Sequence, residues 1–362
     1  MRIVLFPPAD PDLHFYYVDW ANALLELGVD LVIFEENYKE LAKDVNAVRD
    51  KIVSLNPDLV LGFDLYFMGL KEEDSVLIRP IFESLRIPYV SIFTFNNLDQ
   101  ISALASPIRF FRHLIGMVTV SEWSAVWIEK ILSRDCKVAD FSYPDVRINF
   151  DEWEGEDVAL FQNMSLQEKR WTFGQEFVKD ELQEIKRQIK ALLDKGTQVN
   201  EIVSLFRKEI LWSVLSCQVI EDAYWQWQHE LFERIGDKLT LLGMQAVDSL
   251  LVGSLENMVK QMRKFRAVIG TRMRFSRDTL DRLSWFALRI GGIPLVFEVE
   301  FPKVDWWWRV RSDLANLEEI IERLSDKRVR EEIFWTMYSF FQNRSKFKES
   351  VKEVLEWVEE KI

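Results

Sequence analysis

The residues best suited to chemistry lie in RMRFSRDTLDRLSWFALRIGGIPLVFEVEF, residues 272–301. The spacing of Leu280, Leu283, Phe286, Ala287 and Ile290 predicts an amphipathic helix with one apolar face, ended by Gly291 and Gly292. Ser276 or Asp278 can cap its first turn. Arg272, Arg274, Ser276, Arg277 and Thr279 then stand beside a helix N-terminus, whose partial positive charge and unpaired N–H groups favour an anion. A phosphate is the expected ligand there. His14, in the loop PPADPDLHFYY after the first predicted strand, reads either as a functional imidazole or as an exposed or capping residue. Asp64 ends a strand in LVLGFDLYFMG, where a carboxylate can meet a ligand hydroxyl or cap the next turn. Thr94, Asn96 and Asn97 form a polar tip on the buried run SIFTFNN. Glu298 and Glu300 share a strand face about 7 Å apart, a separation compatible with paired-carboxylate hydrolysis, but no substrate groove can be read from the sequence.

Other chemistries are excluded. The chain has no GxxxxGK[ST] loop, no GxGxxG after its first strand, no HExxH and no GxSxG. Three histidines, His14, His113 and His229, are too few for a His-rich metal site, and no metal is expected. His113, placed inside a helix FFRHLIG, and His229 read as structural. Cys136 and Cys217 are far apart and read as buried thiols. A net charge of −13 argues against nucleic acid or an anionic membrane as partner, so any basic site is local. No apolar run reaches the length of a membrane span, and Met1 leads directly into strand-like RIVLF, so a cytoplasmic protein is expected.

These residues need a scaffold, and the pattern of the 362-residue chain supplies two alternating α/β domains. In residues 1–150, strands are expected at 3–6, 31–34, 59–62, 89–93, 117–120 and 138–141, with helices at 16–27, 38–55, 76–85, 106–114 and 124–132. Ligands approach such a sheet at the carboxyl ends of its strands. An acidic segment, Asp145–Asp157, reads as the linker (151–157 at its narrowest). Strands at 158–162, 239–242, 249–252, 267–269 and 293–299 build the second domain, residues 158–345. A helical insert, about 165–236, separates its first two strands and is rich in tryptophan. It reads as an internally packed subdomain or as an acceptor-binding or homodimer surface. Trp306, Trp307 and Trp308 cannot all face one core, so at least one meets a surface. Trp335, Tyr338, Phe340 and Phe341 are expected in the core, and Val351, Val354, Leu355 and Val358 form the stripe of a last helix at 346–362 that packs on the first domain.

Taken together, these features resemble a GT-B glycosyltransferase: two Rossmann-like domains facing across a cleft, family-4-like, of the spore-maturation-type (CgeB-like) branch. ALFQNMSLQEKRW resembles the strand, loop and arginine that open the donor domain, and FSRDTLDRLSWFALRIGGIPLVFE resembles the segment at the donor diphosphate and ribose. NPDLVLGFD and IPYVSIFTFNN resemble acceptor-domain strands, and LEEIIERLSDKRVREEIFWTMYSFFQNRSKF resembles the family's closing helices. The resemblance implies a nucleotide-sugar donor, an unidentified acceptor, retention of configuration and no cofactor beyond the donor itself. It places the diphosphate near Lys169, Arg170 and the loop Arg272–Thr279, with Arg170 stabilising the departing nucleotide, and leaves His14 and Asp64 as candidates on the acceptor side. Two positions depart from the family. Phe286 stands where a ribose-binding Glu is usual, and Gln162–Asn163 replace the glycine after the domain's first strand. A catalytically silent protein binding a glycan, nucleotide or protein partner is the competing expectation.

Overall fold

A computed structural model describes residues 1–34, 41–64, 80–94, 107–120, 122–153, 155, 157–161, 187–188, 191–192, 194–197, 233–234, 239–242, 254–269, 280, 282–298, 303–311 and 313–362. They fall into two compact units: Met1–Ser142 with Ser345–Ile362, and Tyr143–Arg344.

The first unit is built on six parallel strands: β1 (Arg2–Leu5), β2 (Asp30–Ile33), β3 (Leu59–Phe63), β4 (Tyr89–Phe93), β5 (Leu114–Thr119) and β6 (Cys136–Val138). Their order is β2-β1-β3-β4-β5-β6. Every residue of β3 and β4 is buried, as strands covered on both faces require, while the edge strand β2 is half-exposed. Helix α1 (His14–Glu26) buries Tyr16, Trp20 and Leu24, one residue per turn on a single stripe. Helix α2 (Val45–Leu55) begins where the Asp44 carboxylate accepts from the Ala47 N–H at 2.9 Å. Helices α3 (Ile81–Leu85) and α4 (Glu122–Leu132) complete the alternation.

The last helix of the chain, α9 (Phe347–Glu359), belongs to this unit. Its Phe347 ring lies 5.7 Å from Tyr16 and 5.9 Å from Trp20, and Val351, Val354 and Val358 are buried on the expected stripe. Gly116 permits the close approach of this helix: a Cβ there would come within 2.6 Å of the Trp357 ring and 2.5 Å of the Asp135 carbonyl.

One expected element is replaced. Of the helix expected over 106–114, the described residues 107–114 form none; Pro107–Phe110 makes a single 3-10 turn and β5 begins at Leu114, so His113 lies in a bend before a strand. The reason is tertiary. The fully buried Glu83 carboxylate accepts from the N–H groups of Arg112 (2.9 Å) and His113 (2.8 Å) and faces His113 Nδ1 at 3.1 Å. The Arg134 guanidinium donates to the carbonyls of Ile108 and Phe111. Side chains distant in sequence thus satisfy backbone groups that a helix would have paired internally. Strand β6 also falls earlier than expected, ending before the Ala139 and Asp140 carbonyls, which accept from the Tyr16 hydroxyl.

The second unit has a parallel sheet of β7 (Asp157–Phe161), β8 (Leu239–Leu242) and β9 (Phe265–Ile269), in the order β8-β7-β9. Of the strand expected at 293–299, the described residues 293–298 make only isolated parallel bridges, Val268 with Pro294 and Phe297 with Val310. Val268 and the Pro294 neighbours exchange two bonds, Val268 N–H to Ile293 O and Leu295 N–H to Val268 O, and the segment then turns its next bonds to Val310, which donates to Val296 O and accepts from Glu298 N–H. Helix α5 (Leu255–Met262), absent from the sequence reading, is capped by Ser254 Oγ accepting from Asn257 N–H.

Helix α6 (Arg282–Arg289) is the helix expected before Gly291–Gly292, but it is buried from Leu283 through Arg289 rather than along one stripe. Its outer side is covered by chain from 143–153 and by α8 (Lys327–Arg344): the Arg289 Nη1 group donates to the Tyr338 hydroxyl at 3.4 Å, and Gly291 faces Ile148. The segment read as a linker is docked on this unit, with Phe150 and Trp153 buried and Trp153 Nε1 donating to Phe265 O at 2.8 Å. Helix α7 (Leu317–Arg323) precedes α8. Tyr338 and Phe341 are buried as expected, whereas Trp335 is 42% exposed and is not a core residue. Of the three tryptophans, Trp308 is buried and Trp307 lies outside, its ring covered by the Arg323 guanidinium at 3.6 Å. The strand expected at 249–252, nearly all of the helical insert, Cys217 and His229 lie outside the described residues.

Candidate functional site

In the first sheet, β1 is flanked by β2 on one side and β3 on the other, so the direction of winding reverses between β1 and β3. Ligands of open α/β sheets bind outside the carboxyl ends of the strands at such a point. Asp64 immediately follows β3 and the loop 7–13 follows β1, so two expected site segments meet the same reversal point.

Asp64 is 1% exposed and holds a left-handed backbone at φ 52°, a conformation that Asp tolerates better than most residues. Its carboxylate accepts from the Thr94 N–H (2.8 Å) and Thr94 Oγ1 (2.8 Å), its N–H donates to Ile92 O (2.8 Å), and its carbonyl accepts from Ser91 Oγ (2.9 Å). Both expected polar residues, Asp64 and Thr94, are therefore brought together, as a knot that joins the carboxyl ends of β3 and β4. Asn96 and Asn97 lie outside the described residues.

His14 is the first residue of α1 and is exposed, with the rings of Phe15 and Tyr17 each 6.3 Å from its own. Partial burial lowers its pKa from the usual imidazole value. Sequence reasoning missed the fully buried Asp12, two residues earlier. Pro11 opens the 3-10 turn Pro11–Leu13, and nothing in the pattern of that turn distinguishes a buried carboxylate from an exposed one. It also missed Tyr16 and Tyr17, whose burial pushes both phenols far above their usual range.

In the second sheet the same reversal falls between β7 and β9, because β8 lies on one side of β7 and β9, followed by the Pro294 bridge, on the other. The pairing Leu160 with Ile269 puts the carboxyl ends of β7 and β9 side by side. The chain segments carrying Lys169 and Arg170, and Arg272, Arg274, Ser276, Arg277 and Thr279, leave from those two strand ends. These seven residues themselves lie outside the described residues. Glu298 is exposed, its N–H donating to Val310 O at 2.8 Å, while Glu300 lies outside the described residues.

Phe286, at the position where a ribose-binding Glu would stand, is 0% exposed within α6. It is part of the apolar core. Among the described residues, no cluster of three or more His, Cys, Asp or Glu could hold a metal ion, and no helix is long and apolar enough to cross a membrane.

No family model matches the chain, and no curated protein matches it. Similar solved structures include AviGT4, a glycosyltransferase involved in avilamycin A biosynthesis, at 11% identity over 100% of this chain and 98% of that one, with a TM-score of 0.45. Sucrose-phosphate synthase from Thermosynechococcus elongatus is similar at 9% identity over 99% and 98%, with a TM-score of 0.46. The glycosyltransferase SnogD from Streptomyces nogalater is similar at 10% identity over 98% of each chain, with a TM-score of 0.36.

Proposed function

We propose that this chain is a cytoplasmic GT-B glycosyltransferase that moves a sugar from a nucleotide-sugar donor to an acceptor. The observation that carries the reading is the side-by-side placement of the carboxyl ends of β7 and β9 at the reversal point of the second sheet. The segments leaving those ends are the basic ones, with Lys169 and Arg170 in one and three arginines in the other. A diphosphate needs that charge: guanidinium groups bind it in bidentate fashion and remain protonated throughout turnover. Catalysis in this reading is positioning of the donor together with stabilisation of the departing nucleotide by Arg170, Lys169 and the 272–279 loop. The acceptor lies on the first unit, near His14 at the start of α1 and Asp64 at the end of β3. Retention of configuration comes from the family resemblance.

The buried Phe286 favours a second reading, a protein that binds a nucleotide or glycan without turnover, because a phenyl ring cannot accept a ribose hydroxyl.

Titration calorimetry with UDP, GDP, dTDP, ADP and CMP and their sugar conjugates tests both. Binding of one nucleotide that is lost in Arg170→Ala and Arg272→Ala supports the donor site, and hydrolysis or transfer of the bound sugar separates enzyme from binder. A folded sample that binds none of them refutes both nucleotide readings.

A further inference from the structure

Away from the strand ends, the second unit has a concavity of about 340 Å3 between the chain at 145–147 and helix α8, lined by Asp145, Val146, Arg147, Trp335, Tyr338, Ser339 and Gln342. Its size is at the small end of the range for ligand pockets, about 300–1,000 Å3. We propose that it binds a neutral pyranose residue, presented as a free sugar or as the end of a glycan.

The platform is Trp335. Trp335 is 42% exposed on the solvent-facing side of α8, beside the exposed Thr336 and Ser339, and presents a large apolar face there. The ring is nonetheless fixed in place. Phe334 and Tyr338 hold it edge-to-face at 4.9 and 6.3 Å, and Tyr338 is anchored by donating to Pro144 O at 2.6 Å while accepting from Arg289 Nη1. A pre-positioned aromatic face binds without first losing side-chain freedom.

The polar groups around it decide the ligand. Gln342 Nε2 donates to Asp145 Oδ1 at 3.1 Å, which orients the amide and the carboxylate and leaves an acceptor on each for a hydroxyl donor. Arg147, Ser339 and Trp335 make no side-chain hydrogen bond or ion pair among the described residues, so a guanidinium, a hydroxyl and an indole N–H are uncommitted around the same small space. The lining thus offers donors and acceptors together with an aromatic face, and one positive and one negative charge that cancel. A phosphate or a carboxylate ligand would have to approach Asp145, and a purely apolar ligand would strand the polar rim without partners. A pyranose matches both parts: its C–H face lies on the indole and its hydroxyls, each a donor and an acceptor, meet the rim. The placement is independent of the proposed donor site, since it uses none of its residues.

The test reads the indole N–H signals of uniformly 15N-labelled protein, with Trp335 assigned by its loss in Trp335→Phe. The probes are methyl β-D-glucopyranoside, methyl β-D-galactopyranoside, methyl α-D-mannopyranoside and N-acetylglucosamine, with uridine and adenosine as non-sugar ligands. The expected result is a saturable shift of the Trp335 signal by at least one sugar, with Kd on the order of 1–10 mM as few contacts allow, weakened at least about tenfold in Arg147→Ala and in Gln342→Ala, a loss of about 1.4 kcal/mol each. Both substituted positions are at the surface, and unchanged chemical shifts elsewhere report that these variants fold. The proposal is overturned if no sugar moves the Trp335 signal, if only the nucleosides move it, or if the two variants bind the sugar as the parent does. Nucleotide binding at the donor site is scored separately, by calorimetry, so either reading can fail alone.

Discussion

Asp64 offers the most quantitative check on the first unit, because its side chain and its backbone make separable contributions. In Asp64→Ala the buried Thr94 N–H loses its acceptor, at a cost of about 1–3 kcal/mol, and alanine must take up the φ of 52°, which costs about 1–2 kcal/mol. Asp64→Gly removes the same acceptor but adopts the left-handed backbone freely, at an entropic cost of about 0.5–1 kcal/mol. Asp64→Asn tolerates the backbone and keeps one carbonyl oxygen for a Thr94 donor, so it loses only charge assistance, about 1 kcal/mol. The predicted order of destabilisation is Asn, then Gly, then Ala, with Ala at about 3–4 kcal/mol. For a unit of this size that is a fall of about 10 °C in Tm. Calorimetric melts of the three variants give the order, and hydrogen exchange at the Thr94 amide gives the local effect: protection kept in Asn and lost in Gly and Ala. An Ala variant milder than Gly would show that the backbone at position 64 is not held left-handed, and an Asn variant as damaging as Ala would show that the Thr94 bonds do not carry the site.

Two further predictions concern other parts of the molecule. Gly291 has φ +94°, and a Cβ there would lie 2.5 Å from Ile148 Cγ2, so Gly291→Ala should destabilise the second unit by about 2–4 kcal/mol, from overpacking together with backbone strain; adding Ile148→Ala should recover the overpacking part and leave the strain, and a thermal-melt double-mutant cycle showing no coupling would contradict the contact. His14 has its pKa lowered by burial, so the unfolded chain takes up a proton first on acidification and the contribution of neutral His14 to stability, intact above the unfolded value of about 6.5, is lost as pH falls through the folded value; NMR titration should place His14 below that value, and melts from pH 7.5 to 5 should show a smaller fall for His14→Gln than for the parent protein.

The alternating α/β architecture was legible because it depends on local pattern. Runs such as LVLGF and YVSIF are apolar at every position, and only a strand covered on both faces has that composition, so β3 and β4 could be placed to within a residue. The stripe of Val351, Val354, Leu355 and Val358 was equally plain, since a helix with one wet face repeats at helical spacing whatever it packs against. The basic residues of the 272–279 loop stand out by type and spacing, whereas Lys169 and Arg170 are singled out only by the family resemblance.

Tertiary structure decided the rest, wherever a distant partner outweighed local preference. FFRHLIG has helical periodicity, yet Glu83 and Arg134 satisfy its backbone from outside and release it into a bend and a strand. Helix α6 reads as amphipathic but is buried all round, because chain from 143–153 and α8 cover the face that its polar residues would have turned to water. Trp335 has the composition of a core residue and lies in a surface concavity, because only the path of residues 145–147 over α8 creates that hollow. Periodicity along a chain reports which residues can share a face; which faces meet, and which strand ends stand side by side, depends on contacts between residues far apart in sequence, and those are settled only when the sheets assemble.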